Sequence, residues 1–325
     1  MALGQRYPKL AFLSRFNPMA MSKELADAVS TTLGNETDPT TRVYGAAVEI
    51  LKQKLGDEFL ARKVRKAIPH DPFLLNKGGE QSEEEQRLHI QRVSSLADAL
   101  YKLEGQKGFD ALCNRLTRKR AIDPAYADAE VAKLIARRGY DVEIKAETGQ
   151  RGKDFDMVVR KNGAPDLNVE VTSSDAKTFR PGTVKNILQS KRSQVPKGEP
   201  AGLFVLFPIS WFNGQPNLLK ELEKVTNDFF RGSSRYNFVC FIWHPVEVRG
   251  NTFIHGTMRM PLKNKRAACQ YEDLSFFDAP TERKEEWDRV RAGEPVTPEP
   301  EKNFDFMVDY NEAAKAKVVA STTGS

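Results

Sequence analysis

The feature that most constrains the fold of this chain is the segment 152–173, where two short strand patterns flank an Asn-Gly turn. Strands are predicted over 155–160 and 167–172, and Asn162-Gly163 favours a hairpin, with a connection longer than two residues. Glu170 lies between two valines in the second strand. An ionised carboxylate in an apolar strand is costly unless it is paired or binds a metal ion. The segment therefore predicts a hairpin with a functional acid in its second strand.

The residues around this hairpin alternate between helix and strand patterns. Asp123 and Pro124 predict the start of a helix that ends near 138, because an aspartate cap and a proline in the first turn both favour a helix N-terminus. Further strands are predicted over 140–145, 202–207 and 238–243, and further helices over 184–194 and 218–230. The two later strands are continuous apolar runs, as in strands buried on both faces. This order predicts an α/β sheet covered by helices.

Three regions are predicted along the chain. Residues 1–120 form a helical accessory region with helices over 22–33, 38–55, 59–66, 82–100 and 109–118, and its simplest interpretation assigns it no chemistry of its own. Residues 121–277 form the α/β domain. Residues 278–325 are rich in proline, glutamate and small polar residues, which predicts a polar, partly flexible tail with one docked segment at 304–310.

Composition narrows the classes of function. The 325 residues are 40% hydrophobic without an apolar run long enough to span a membrane, so no membrane partner is expected. The N-terminus shows no secretion signal, and Cys113, Cys240 and Cys269 show neither zinc-site spacing nor a disulfide framework, which favours a reducing cytoplasm. The four histidines form no closely spaced pair, which argues against a histidine zinc site. The net charge of +6 is compatible with a nucleic-acid partner, although many other proteins are equally basic.

The acids near the hairpin are placed to converge on one point. Side chains alternate between the two faces of a strand, so Asp154 and Asp156 share one face, and Glu170 and Thr172 share a face of the neighbouring strand. If the strands pair, one aspartate lies close to Glu170, and two carboxylates with water suit Mg²⁺ or Mn²⁺. Glu130, on the preceding helix at the border of its buried stripe, is a third candidate. Taken singly, either aspartate is more commonly a solvated turn residue and Glu130 a surface residue, so it is their order along the chain that favours a metal site.

Together, Glu130, Asp154-Phe155-Asp156 and Glu170-Val171-Thr172 resemble the motif of the PD-(D/E)XK nuclease superfamily. The resemblance covers residues 121–208 and implies the restriction-endonuclease-like fold, an αβββαβ core with a mixed sheet flanked by helices, preceded here by the helical N-terminal region. It also implies that Glu170 and either Asp154 or Asp156 ligate Mg²⁺ or Mn²⁺, with Glu130 assisting. In that family a lysine orients water or steadies the phosphate. The choice between the two aspartates stays open at this point.

The sequence departs from that motif in two ways. No proline precedes either aspartate, and Thr172 stands where the motif has its lysine, so a hydroxyl that can position water replaces a positive charge. The segment 176–198 contains six basic residues and no acid, and Lys177, Lys185 or Lys191 could replace the missing lysine. Lys191 is the catalytic candidate among them, and the residues predicted to bind nucleic acid are Lys177, Arg180, Lys185, Gln189 and Arg192. A solvated helix face is the competing interpretation of the same charge run.

Three functions are compatible with these features. The first is a divalent-metal-dependent endonuclease that acts on DNA in preference to RNA, for example in restriction or defence against foreign DNA, and that could work as a homodimer. The second is a relative with a degenerate site that binds nucleic acid without cutting it. The third is an assembly protein whose helical region binds a partner. Cleavage that depends on a divalent metal and on Glu170 separates the first function from the other two.

Overall fold

The N-terminal part of the chain is helical. The computed structural model describes residues 21–65, 74, 82–118, 122–147, 149–150, 154–249, 252–278 and 304–323. Its first helices are α1 (Lys23–Leu33), α2 (Pro39–Leu55), α3 (Asp57–Phe59, continued by a π-helical turn at Leu60–Arg65), α4 (Glu83–Leu103) and α5 (Phe109–Arg118). Local capping explains where they begin: Asp38 accepts the Thr41 N–H at the start of α2, and Ser82 and Glu85 form a capping box at the start of α4. These helices agree closely with the predicted ones.

A six-stranded mixed sheet forms the centre of the molecule. The elements that follow α5 are α6 (Asp123–Ala136), β1 (Asp141–Ile144), β2 (Met157–Arg160), β3 (Leu167–Ser173), α7 (Pro181–Lys191), β4 (Ala201–Leu206), α8 (Leu218–Gly232), β5 (Phe238–Trp243), β6 (Val246–Arg249), β7 (Thr252–His255) and β8 (Met258–Lys263). The sheet order is β1-β2-β3-β4-β5-β8, in which β3, β4 and β5 are parallel and the other neighbours are antiparallel. Strands β6 and β7 form a separate hairpin. The predicted α/β class with helices flanking a mixed sheet is confirmed, while β6, β7 and β8 lie outside the predicted elements.

Both faces of the sheet are covered, which explains the continuous apolar runs of its central strands. Leu203 and Val205 of β4 pack with the buried residues of α7 and α8, whereas Phe204 and Leu206 pack on the opposite face. That opposite face belongs to one hydrophobic core that also contains the buried residues of α6 and of the N-terminal helices. The N-terminal helices and the sheet therefore share a core, and the domain boundary predicted near 120 does not coincide with a break in it.

The last described helix docks against the N-terminal region. Residues 279–303 of the predicted tail lie outside the described residues. Phe304, Phe306 and Met307 are buried, which confirms the docked segment predicted at 304–310, and helix α9 continues it over Asp305–Thr323. Arg137, the C-cap residue of α6, anchors the first turn of α9, because its Nε donates to the Asp305 carboxylate at 2.8 Å. Neither α9 nor any other helix that the structure describes combines the length and the hydropathy needed to cross a membrane.

Candidate active site

Asp156 lies where strand β2 begins. In the β2–β3 ladder Met157 pairs with Val169, and the N–H of Asp156 still donates to the Val169 carbonyl at 3.0 Å. The Asp156 carboxylate then accepts the backbone N–H of Val171 at 2.7 Å. The regular strand starts only at Met157, so Asp154 and Asp156 both precede it, whereas the predicted strand began at 155 and included Asp156. One side-chain hydrogen bond thus holds Asp156 against β3 where the ladder ends.

Glu170 is the buried acid of the site and is only 2% exposed. Lys191, the last residue of α7, donates from Nζ to Glu170 Oε1 at 2.6 Å and to Gln194 Oε1 at 3.1 Å. The Tyr236 hydroxyl donates to the Lys191 carbonyl at 2.6 Å and so holds the end of α7 in place. Glu170 Oε2 is buried, and no residue in the described part of the chain forms a hydrogen bond with it.

The surroundings of Glu170 favour its neutral form. Burial raises the pKa of Glu170 from 4.5 to about 8, and the charge of Asp156 acts in the same direction. The Lys191 ammonium lowers this pKa, but by less. Burial also raises the pKa of Asp156. The hydrogen bond from the Val171 N–H and the charge of the Arg115 guanidinium lower this pKa, but by less. Without a further cation, Glu170 therefore holds a proton at neutral pH, and a cation bound here would release it.

The helix acid that Arg115 links to this group is Asp128, which the sequence pattern did not single out. Asp128 lies in α6 and is 3% exposed, and its Oδ2 is 2.7 Å from Nη1 of Arg115 in α5. The same nitrogen lies 3.6 Å from Asp156 Oδ1. Burial raises the pKa of Asp128, and so do the charges of Asp156 and Glu170, while Arg115 lowers it. One signal was available: α6 is buried over most of its length, so an acid within it needs a partner.

Glu130, the helix acid predicted from the sequence, belongs to a second buried polar cluster. Its Oε1 accepts a hydrogen bond from Lys133 Nζ at 2.9 Å, and its Oε2 lies 3.9 Å from His244 Nε2. Lys133 also lies 3.6 Å from Asp98. Glu130 is 4% exposed, so it is not a surface residue either. The structure therefore does not bring Glu130 to the Asp156 group, and Asp128 occupies the place predicted for it.

Asp154 and Thr172 lie at the edge of the site. Asp154 Oδ1 accepts the Gly149 N–H at 3.3 Å, and its charge is the weakest of the influences that raise the pKa of Glu170. Thr172 is two residues from Glu170 along β3 and is half-buried. Of the two aspartates left open by the sequence, Asp156 has the direct hydrogen bond to β3, and a metal-binding role for Asp154 stays a prediction.

The predicted basic residues divide by exposure. Those predicted to bind nucleic acid are all exposed: Lys177, Arg180, Lys185, Gln189 and Arg192. Arg192 also donates to the Gly232 carbonyl. Lys191 is half-buried, and among the three lysines predicted as substitutes at Thr172 it is the one that contacts Glu170.

Glu170 and Asp156 offer the kind of oxygen ligands that suit a magnesium ion with part of its water shell. The described residues contain no group of three or more His, Cys, Asp or Glu side chains arranged to hold a metal. Mg²⁺ is, however, commonly bound through one or two carboxylates together with waters and substrate phosphates. Glu170 has a buried carboxylate oxygen, Oε2, that forms no hydrogen bond with the described residues. The Asp156 carboxylate accepts a hydrogen bond from the N–H of Val171, the residue that follows Glu170 in β3. These two side chains are the ones that would hold the ion.

Neither a protein-family model nor a curated protein matches this chain. The chemistry of the site indicates what it can do. The site combines two carboxylates with two cations: Lys191 contacts Glu170, and Arg115 lies near Asp156. Carboxylates of this kind bind divalent cations, and the two cationic side chains suit a phosphate.

Proposed function

We propose that this protein is a divalent-metal-dependent endonuclease of the PD-(D/E)XK superfamily that hydrolyses phosphodiester bonds, in DNA in preference to RNA. The order of elements supports the proposal. Helix α6, strands β1 to β3, helix α7 and strand β4 follow one another in the αβββαβ order of the restriction-endonuclease-like core. The same four strands are consecutive neighbours in the sheet, with β4 parallel to β3. The acids stand at the start of β2 and within β3, as that fold requires.

The observation that carries the proposal is the contact of Lys191 Nζ with Glu170 Oε1 at 2.6 Å. Thr172 cannot supply the positive charge that the lysine of the motif supplies. Lys191 brings an ammonium group to the same glutamate from the helix that follows β3. An ammonium at this place can neutralise a phosphate oxygen or give a proton to a leaving group.

Each side chain then has a task in hydrolysis. Glu170 and Asp156 would bind Mg²⁺ or Mn²⁺, which when bound would neutralise charge on the scissile phosphate and lower the pKa of an attacking water. Lys191 would turn from Glu170 to a phosphate oxygen once Glu170 has another cation. The exposed basic residues Lys185 and Arg192 of the α7 segment would contact neighbouring phosphates of the backbone.

Cleavage assays with supercoiled plasmid DNA and with labelled RNA, each in Mg²⁺, Mn²⁺ or EDTA, test the proposal. We expect metal-dependent cleavage by the wild type, no cleavage by Glu170→Gln, and a rate at least about 100-fold lower in Lys191→Met. Lys52→Met is the matched control, because it removes an exposed lysine of α2 and should cleave at the wild-type rate. Cleavage that survives chelation or Glu170→Gln would refute the proposal.

A second candidate function is binding of nucleic acid without cleavage. The observation that favours it is that Lys191 pairs with Glu170 at 2.6 Å, while Thr172 supplies no second cation. This function predicts salt-sensitive binding that survives Glu170→Gln, and no cleavage in either metal. The same set of assays therefore separates the two functions.

We also propose a reducing, cytoplasmic location and a homodimeric state on DNA. The first rests on Cys113, Cys240 and Cys269, which are all free. The second follows from the proposed reaction, because two copies of one site can cut both strands of a duplex. Sedimentation of the protein with and without a DNA duplex tests the dimer.

A further inference from the structure

Arg115 joins the N-terminal helices to the candidate site. One end of its guanidinium, Nη1, lies 2.7 Å from Asp128 and 3.6 Å from Asp156. Its side chain is only 10% exposed. Leu112 and Leu116 on the same helix are fully buried in the core, so α5 holds the guanidinium at a defined position.

The other edge of this guanidinium forms no hydrogen bond with the residues that the structure describes. Nε and Nη2 of Arg115 are both buried, and neither forms a hydrogen bond within the described part of the chain. These two nitrogens direct their N–H groups in parallel, as the fork with which arginine binds a pair of oxygens. Buried donors without acceptors are unfavourable, so a fork of this kind indicates a ligand that brings the oxygens.

The described acids near Arg115 do not form a hydrogen bond with this edge of its guanidinium. Asp128 and Asp156 lie at the opposite end of the guanidinium, and Glu170 Oε1 is held by Lys191. The acceptor of these two N–H groups therefore lies outside the described residues, and an anion with two oxygens suits a guanidinium best. A phosphate presents pairs of oxygens with the spacing of the arginine fork, which is why the two groups bind in a bidentate manner.

We propose that the free edge of Arg115 binds a phosphate of the nucleic-acid substrate, next to the carboxylates that hold the metal. The inference rests on the proposed function and deepens it, since it assigns the helical N-terminal region a direct contact with the substrate. That region is then part of the active site instead of an accessory to it.

Binding of a fluorescently labelled DNA duplex in EDTA, measured by anisotropy from about 50 mM to about 200 mM salt, tests this contact. The affinity for DNA falls as the salt concentration rises, and loss of one phosphate contact makes the slope of log affinity against log salt less steep by about 0.9. We expect Arg115→Met to show this change and to bind about tenfold more weakly. Arg115→Lys should keep the slope, because its charge remains, but should also bind more weakly because the fork is lost.

Arg62→Met is the control for charge alone. It removes an exposed arginine of the N-terminal region and should keep the wild-type slope and affinity. The double variant Arg115→Met with Asp128→Asn guards against misfolding, because it also removes the charge of Asp128, the buried acid 2.7 Å from Arg115. The lowered slope should persist in that folded double variant.

The outcomes distinguish this inference from the proposed function. If the wild type binds and cleaves DNA but Arg115→Met and the double variant keep the wild-type slope, the phosphate contact is wrong and Arg115 only supports Asp128 and Asp156. If the wild type neither binds nor cleaves DNA or RNA, the proposed function fails and the Arg115 inference fails with it.

Discussion

The wild type should take up a proton at Glu170 when it folds, and the Glu170→Gln variant should not. In the folded protein, burial and the charge of Asp156 raise the pKa of Glu170 from 4.5 to about 8. Between these two values the folded state holds a proton that the unfolded chain has released. Because stability falls with pH wherever the folded state binds more protons, Glu170 destabilises the metal-free protein increasingly from about pH 4.5 to about pH 8.

The size of this effect follows from the two pKa values. Values about 3.5 apart correspond to about 5 kcal/mol, at about 1.36 kcal/mol for each pH unit. This is an upper bound, because Asp156 and Lys191 readjust their own ionisation as Glu170 loses its proton. Glutamine is neutral and has nearly the same shape, so the pH-dependent part disappears in the variant. The weakened contact with Lys191 changes the free energy of unfolding of the variant by the same amount at every pH. It therefore does not affect the comparison, which concerns only how the difference from wild type changes with pH.

Urea unfolding in EDTA from about pH 5 to about pH 8.5 measures this difference. Fluorescence of the buried Trp211 and Trp243 reports on the sheet and its cover. We expect the stability of Glu170→Gln, relative to wild type, to grow as the pH rises. Glu223→Gln changes an exposed glutamate of α8 and should follow the wild-type curve. Parallel curves for Glu170→Gln and wild type would refute the reasoning, because they would show that Lys191 keeps Glu170 ionised in the folded protein throughout this range.

Three further predictions concern the metal, helix α7 and the C-terminal helix. Mn²⁺ should raise the melting temperature of the wild type in a concentration-dependent manner but not that of Asp156→Asn, and Asp154→Asn should keep most of the effect because Asp156 has the direct bond to β3. An equal loss in both variants would count against this assignment. Tyr236→Phe should lose about 1 kcal/mol of stability and reduce cleavage several-fold, since its hydroxyl holds the last carbonyl of α7; unchanged unfolding and cleavage curves would contradict it. Phe306→Ala should lose about 3–5 kcal/mol in urea unfolding because its ring is fully buried, against about 0.5 kcal/mol or less for the exposed Val308→Ala. Similar losses in the two variants would mean that α9 is not docked in the core.

The helix acid shows where sequence reasoning reaches its limit. Glu130 and Asp128 are two residues apart in α6, and in a helix such residues point about 200° apart. Only one of them can face the start of β2. Because α6 is buried nearly all round, its hydrophobic pattern does not say which side turns to which partner. The packing of α6 against α5 decides in favour of Asp128, which meets Arg115 there.

The edge strand β8 was not predicted from the sequence, for a different reason. β8 contains Pro261, and a proline within a short run argues against a strand even though Met258, Met260 and Leu262 recur at every second position. It lies at the edge of the sheet, where a proline is tolerated because one side of the strand has no hydrogen-bonding neighbour. Its pairing with the fully buried β5 therefore makes it a strand despite this proline.

The sequence by itself determined the order of the main helices and strands, because hydrophobic periodicity, caps and turns are local properties of the chain. It also determined that Glu170, set between two valines in an apolar strand, would need a partner. Only the tertiary structure decided which residues form the site around Glu170. Asp156, Lys191 and Arg115 come from three separate segments, and which of their neighbours reaches the site depends on how α5 and α7 are rotated against the sheet. That rotation is set by packing over the whole core, and no local pattern records it.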